Sequence, residues 1–130
     1  MSKRIALIGH CGPDSSFLRM AVSRAAKGAQ VVLADDSSEL DRLVVEGVDL
    51  LLFNRVLDYG FDDTEGIAII RKLRVSHPNL KMMLVSNYPE SQAEAVAAGA
   101  LPGFGKREMS SSRVTDLVRA ALDGEPSAKA

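Results

Sequence analysis

Apolar and polar positions fall in alternating blocks along the chain. Ile5-Ala6-Leu7-Ile8, Val31-Val32-Leu33, Leu50-Leu51-Leu52-Phe53 and Met82-Met83-Leu84-Val85 are short, continuous apolar runs. Such runs predict strands buried on both faces, the pattern of a parallel sheet. A fifth run, from Ala100 to Phe104, is weaker and is interrupted by Pro102 and Gly103. Helical patterns separate the runs. Leu18, Val22, Ala25 and Ala29 share one face, as do Leu40, Leu43 and Val44, and Ile67, Ile70 and Leu73. Ala93, Val96 and Ala97 predict a short fourth helix. Val114, Leu117, Val118, Ala121 and Leu122 form the clearest stripe.

Local signals mark the boundaries. Ser38 and Asp41 resemble a capping box. Pro89 suits the first turn of helix four, and His77-Pro78 ends helix three. Gly28, Gly47, Gly99 and Gly124 each follow a helical stripe, where a left-handed cap favours glycine. Residues 1–124 therefore read as one domain, and 125–130 as a loose tail. Five strands strictly alternating with five helices predict an α/β, doubly wound parallel sheet with right-handed crossovers. Ligands of such folds bind at the carboxyl ends of the strands. Function is expected just after Ile8, Phe53 and Val85, and near Phe104.

Composition narrows the classes. The 130 residues are 46% hydrophobic and 25% charged, which suits a globular chain with a real core. Lys and Arg number 16 against 17 Asp and Glu, a net charge of −1. No overall basic field favours nucleic acid or a membrane surface. One cysteine allows no internal disulfide and fits a reducing cytoplasm. The start is too short in apolar residues for a signal peptide or membrane span.

Several loops carry candidate chemistry. Gly9-His10-Cys11-Gly12-Pro13-Asp14-Ser15-Ser16 links strand one to helix one. Gly12, Asp14 and Ser15 form an anion-binding candidate at a helix N-terminus, although a tight turn with Asp14 or Ser15 capping helix one is the plainer reading. Neither a phosphate-loop lysine nor a third dinucleotide-binding glycine follows. Cys11 lacks a suitably spaced arginine for a cysteine phosphatase loop. Redox sensing remains an alternative for it. His10, Cys11 and His77 are not expected to form a metal site, because His77 should lie at the other end of the sheet. The acidic loop 54–66 holds Asp58, Asp62 and Asp63, without the pattern of a calcium loop, and Asp63 or Thr64 is the expected cap of helix three. Asn54, Ser86 and Lys106 stand at three adjacent strand ends and should converge on one polar pocket.

These residues carry a resemblance to the response regulator receiver domain. Val48-Asp49-Leu50-Leu51-Leu52-Phe53-Asn54 resembles the family's third strand, which ends in the phosphoacceptor aspartate. Glu65-Gly66-Ile67 resembles the start of its third helix. Ser86 falls at the Ser/Thr switch position, and Ala98-Gly99-Ala100 followed by Lys106 matches the family's Ala-Gly-Ala and lysine. The resemblance spans Arg4 to Leu122 and implies a flavodoxin-like fold with strand order 2-1-3-4-5. It also exposes departures. Gly9 and His10 stand where the family's magnesium-binding acidic pair would be, and Asn54 stands at the acceptor position. The loop after Asn54 is about four residues longer than the family's usual form. Arg107 replaces a proline, and the switch aromatic, Phe104, is one place late, with Gly103 in its slot.

An amide is a poor nucleophile at neutral pH, so Asn54 should not accept a phosphoryl group. The expected pocket is thus a degenerate one, made of Gly9, His10, Asn54, Ser86 and Lys106, with no carboxylate, metal or cofactor. Lys106 should hydrogen-bond Asn54 and Ser86, or reach an acid such as Asp14 or Asp58, or bind a diffusible anion with the helix-one N-terminus. The expected function is an atypical, stand-alone receiver of two-component phosphorelay type, independent of phosphorylation and not an enzyme. Its partner would be a histidine kinase, a downstream signalling protein or a second copy. The resemblance places contact on the helix 4–strand 5–helix 5 face, with Ala93, Met109, Arg113 and Arg119 as candidates. The alternatives are a sensor of a small anion or metabolite, an enzyme using Cys11 or Lys106, and a receiver phosphorylated elsewhere, for instance on Asp58.

Overall fold

The computed structural model describes residues 3–57 and 60–123. Five parallel strands form one sheet in the order β2-β1-β3-β4-β5. They are β1 (Arg4–Ile8), β2 (Gln30–Ala34), β3 (Leu50–Asn54), β4 (Met82–Val85) and β5 (Leu101–Phe104). The helices are α1 (Gly12–Ala25), α2 (Ser37–Glu46), α3 (Gly66–Ser76), α4 (Pro89–Ala98) and α5 (Ser112–Asp123). One 3-10 turn, Lys106–Glu108, precedes α5. The doubly wound expectation and its strand order hold.

Strand side chains alternate between the two sheet faces, so each central strand feeds two cores. Ile5, Leu7, Leu50, Leu52, Met83 and Val85 pack against α1 and α5, where Leu18, Val22, Val114 and Val118 are buried. Ala6, Ile8, Leu51, Phe53, Met82 and Leu84 pack beneath α2, α3 and α4. The chain turns back across the sheet after β2. The carboxyl ends of β1 and β3 flank that reversal, which is where a doubly wound fold opens a crevice.

Several local expectations need correction. β2 is an edge strand; Val31 and Val32 are half-buried and Leu33 is exposed, because no further strand covers them. α1 ends at Ala25, so Ala29 lies beyond it. The cap of α1 is Cys11, without a side-chain capping bond, which leaves Asp14 and Ser15 inside the first turns. In α2 the cap is Asp36, whose carboxylate accepts from the Glu39 N–H at 2.8 Å, while Glu39 accepts from the Asp35 N–H at 3.0 Å. That reciprocal pair lies two residues before Ser38 and Asp41. α3 is capped at Glu65 rather than at Asp63 or Thr64. In α4 the inward residues are Ala95 and Ala98, and Ala93, Val96 and Ala97 are exposed. An alanine-rich helix carries little periodic contrast, and Gln92 sets its rotation by bonding the sheet, as described below. Gly28, Gly47 and Gly99 have positive φ, but only Gly99 is a left-handed cap; α1 is capped at Ala26, and Gly47 caps α2 with ψ 123°. Gly124 and the proposed tail lie outside the described residues. Among the described residues, no helix is long and apolar enough to cross a membrane.

Candidate functional site

The crevice forms where the loops after β1, β3, β4 and β5 meet. Parallel pairing of Ile8 with both Ala34 and Phe53 sets Gly9 beside the ends of β2 and β3. Gly9 has φ 72°, a left-handed conformation that favours glycine, and a Cβ there would also press on the end of the Leu57 side chain at 2.4 Å. This turn drives His10 inward and Cys11 outward. His10 is buried, and its Nε2 lies 2.9 Å from the Leu52 carbonyl. A carbonyl can only accept, so Nε2 carries the proton. Nδ1 is then a buried acceptor with no partner among the described residues. Burial is the main cause that lowers the His10 pKa to about 4, and the Lys106 charge adds to it against the Leu52 hydrogen bond. The imidazole is therefore neutral at pH 7.

Asn54 is tied down at the end of β3. Its Nδ2 donates to the Gly9 carbonyl at 3.2 Å and to the Val56 carbonyl at 2.9 Å. Its Oδ1 accepts from the Arg55 N–H at 3.1 Å. The amide suits this place because it supplies two donors to two carbonyls and one acceptor to an N–H. A carboxylate could satisfy only the last of these. The loop then pairs back through Val56 and Glu65, which brings α3 up to the site.

Lys106 resolves the alternatives left open for it. Its Nζ lies 2.7 Å from Asp14 Oδ2 on α1. That hydrogen bond is the leading cause that holds the Asp14 carboxyl below its ordinary pKa. Neither Asn54 nor Ser86 receives a hydrogen bond from Lys106. The Ser86 hydroxyl instead accepts from the Tyr88 N–H at 3.1 Å, and Asn87 Oδ1 accepts from the Arg107 N–H at 3.1 Å. The expected anion loop is altered by the same pair, since the Asp14 carboxylate already sits on the cation. Gly12 and Ser15 flank it, and Ser15 Oγ donates to the His10 carbonyl at 3.4 Å.

The expected single pocket is two depressions with Asn54 between them. One, of about 300 Å³, is lined by Gly9, His10, Asp35 and Asn54 among others. The other, of about 280 Å³, lies between Asn54, Arg55, Ser86, Tyr88, Lys106 and Arg107. One carboxylate does reach the first depression, contrary to expectation. Asp35 follows β2, whose last residue pairs with Ile8, so sheet register alone carries it there. Among the described residues, no group of three or more His, Cys, Asp or Glu side chains is placed to hold a metal. Asp58 lies outside the described residues. Asp63 is engaged by Lys72 at 2.8 Å.

The β4–β5 seam holds the aromatic candidate. Phe104 is buried in the core beneath α1 and α5. Its carbonyl accepts from the Ser86 N–H at 2.9 Å. Gln92 of α4 closes the seam: Nε2 lies 2.9 Å from the Leu84 carbonyl, 3.1 Å from that of Ser86 and 3.3 Å from that of Phe104, while Oε1 accepts from the Gly103 N–H at 3.2 Å. A Cβ at Gly103 would meet the Leu84 carbonyl oxygen at 2.2 Å, so no side chain fits in that slot.

The candidate contact face is also redrawn. Met109 is buried on the α1 side, and Arg119 donates to the Ala25 carbonyl at 3.0 Å, so both serve the α1–α5 packing. Ala93, Val96, Pro102 and Arg113 remain around an open depression of about 400 Å³, with Arg113 paired to Glu108 at 2.6 Å. Sequence reasoning missed Asp35, Arg55, Tyr88 and Gln92. The first three immediately follow or closely trail strand ends, a positional signal that could have found them. Gln92 had no such signal.

No family model and no curated protein matches the chain. Solved structures do. The receiver domain of NtrX from Brucella abortus superposes with a TM-score of 0.77 at 19% identity, covering 93% of this chain and 99% of that one. The non-phosphorylated receiver domain of the stress response regulator RcsB from Escherichia coli gives 0.75 at 14% identity, covering 97% of each. The signal receiver domain of a DNA-binding response regulator from Colwellia psychrerythraea 34H gives 0.74 at 13% identity, covering 95% of this chain and all of that one. The fold is that of response regulator receiver domains.

Proposed function

We propose that this chain is a receiver-type signalling domain that works without an aspartyl phosphate and acts by contact with another protein. One observation carries the reading. The acceptor position holds an amide whose donors are committed to the Gly9 and Val56 carbonyls. A phosphoryl group needs a nucleophilic oxygen there and a cation-binding acidic pair beside it. This site offers Asn54, Gly9, a neutral His10 and, among the described residues, the single carboxylate of Asp35 in place of an acidic pair. The seam supports the same reading, because Gln92 bonds both strands and Gly103 leaves no slot for a moving aromatic ring. No catalytic step is assigned to Cys11 or to Lys106.

The contact surface in this reading is the exposed part of α4, β5 and α5, with Ala93, Val96 and Arg113 at its centre. The partner is a histidine kinase, a downstream signalling protein or a second copy, met in the cytoplasm. The test is the intact mass of the chain after incubation with magnesium and acetyl phosphate. The expected mass is unchanged. A gain of one phosphoryl group, mapped near residue 54, would overturn phosphorylation independence. Sedimentation over a range of concentrations, with Val96→Glu as control, tests self-association through this face.

A further inference from the structure

A depression lies between the ends of β3 and β4 and the 3-10 turn. Its lining includes the cations Arg55, Lys106 and Arg107, the amide of Asn54 and the hydroxyl of Ser86, and, among the described residues, no carboxylate. On a chain of net charge −1, three cations at one cleft are a local concentration of positive potential. Among the described residues, neither Arg55 nor Arg107 forms a salt bridge. The Arg55 guanidinium carbon lies 4.9 Å from the centroid of the Tyr88 ring, within cation–π range. The Arg107 backbone is held by Asn87, and Lys106 keeps two of its three donors beyond the Asp14 bond. Asp14, the partner of Lys106, lines a neighbouring groove on the α1 side that shares Lys106 and Arg107 with this cleft.

We propose that this cleft binds a diffusible, phosphate-bearing small molecule through Arg55, Arg107 and Lys106. The oxyanion sits between the two guanidinium groups, where bidentate, charge-assisted hydrogen bonds favour phosphate. The volume of about 280 Å³ lies just under the usual range of small-molecule sites, so the ligand is small. The site needs no metal, since fixed cations supply the charge that a dication would otherwise bring. Binding across the ends of β3 and β4 would link the loop after Asn54 to the N-terminus of α4, which belongs to the contact face of the proposed function. The binding itself does not depend on that function.

The test is a titration of the whole protein with inorganic phosphate, in the presence of EDTA and at constant ionic strength, followed by amide NMR. Saturable shifts are expected at residues 54–56, 86–88 and 106–107. The Arg55→Ala, Arg107→Ala double variant should stay folded, since both side chains are at least partly exposed, and should raise the half-saturation concentration by about tenfold or more. A parallel titration with glycerol phosphate separates a phosphate ester from the free ion: tighter binding of the ester supports a metabolite ligand. No saturation, equal shifts with chloride, shifts confined to residues 12–15, or an unaltered affinity in the double variant would overturn the proposal. Covalent phosphorylation is read by intact mass and this site by reversible shifts in EDTA, so the two readings can fail independently.

Discussion

His10 couples the crevice to pH. The native ring stays neutral down to about pH 4, whereas an unfolded histidine takes up its proton near 6.5. Between those values the unfolded state binds more protons, so native stability falls as the pH is lowered. The shift corresponds to roughly 3 kcal/mol across that window. Asp14 acts in another window. Its lowered pKa contributes stability above about pH 4, lost only as the pH falls through the native value. Urea midpoints measured from pH 7 to pH 4 should decline, and His10→Gln, whose amide can still donate to Leu52, should flatten the decline. An unchanged slope would remove His10 as its cause. At Asn54, substitution by Asp should not create a phosphorylation site. It should cost about 1–3 kcal/mol, because a carboxylate would face the Gly9 and Val56 carbonyls without a donor to offer. Denaturation of the variant, together with its intact mass after acetyl phosphate treatment, checks both parts.

At the scale of elements, the β4–β5 seam depends on a residue from outside the sheet. A short strand containing Pro102 and Gly103 pairs irregularly with β4, with a register shift between Met83 and Val85. One side chain from α4 supplies the missing connections. Gln92→Ala should therefore destabilise the protein by roughly 1–3 kcal/mol and raise amide exchange at Gly103 more than in α2. Equal exchange in both regions would deny Gln92 this role. Gly103→Ala should cost about 2 kcal/mol or more, since its new methyl meets a backbone oxygen rather than a yielding side chain. The same element shows where sequence patterning fails. In α5, strong contrast between apolar and polar positions made the buried stripe legible. In α4, alanines lie on both faces, and a polar residue decided the rotation by hydrogen bonding.

For the whole molecule, the two cores share the same central strands. Leu51 faces one core and Leu52 the other. Either change to Ala should cost about 2–5 kcal/mol, and each variant should still unfold in one transition, because neither layer can lose its side of β3 alone. Circular dichroism and tyrosine fluorescence midpoints that disagree in either variant would show that the layers unfold separately.

The sequence by itself determined the architecture. Continuous apolar runs alternating with helical stripes admit few topologies, and crossover handedness and burial select among them. It also determined that an amide, not a carboxylate, ends β3. Only the tertiary structure decided which partner each polar side chain takes. Lys106 bonds Asp14, Asn54 bonds Gly9 and Val56, Gln92 bonds the β4–β5 seam, and Asp35 arrives beside His10. The reason is physical. Burial of apolar residues follows from local periodicity, which a linear sequence carries. A hydrogen bond depends on atoms meeting within about 3 Å, and residues far apart in the chain meet at that distance only once register and rotation are set.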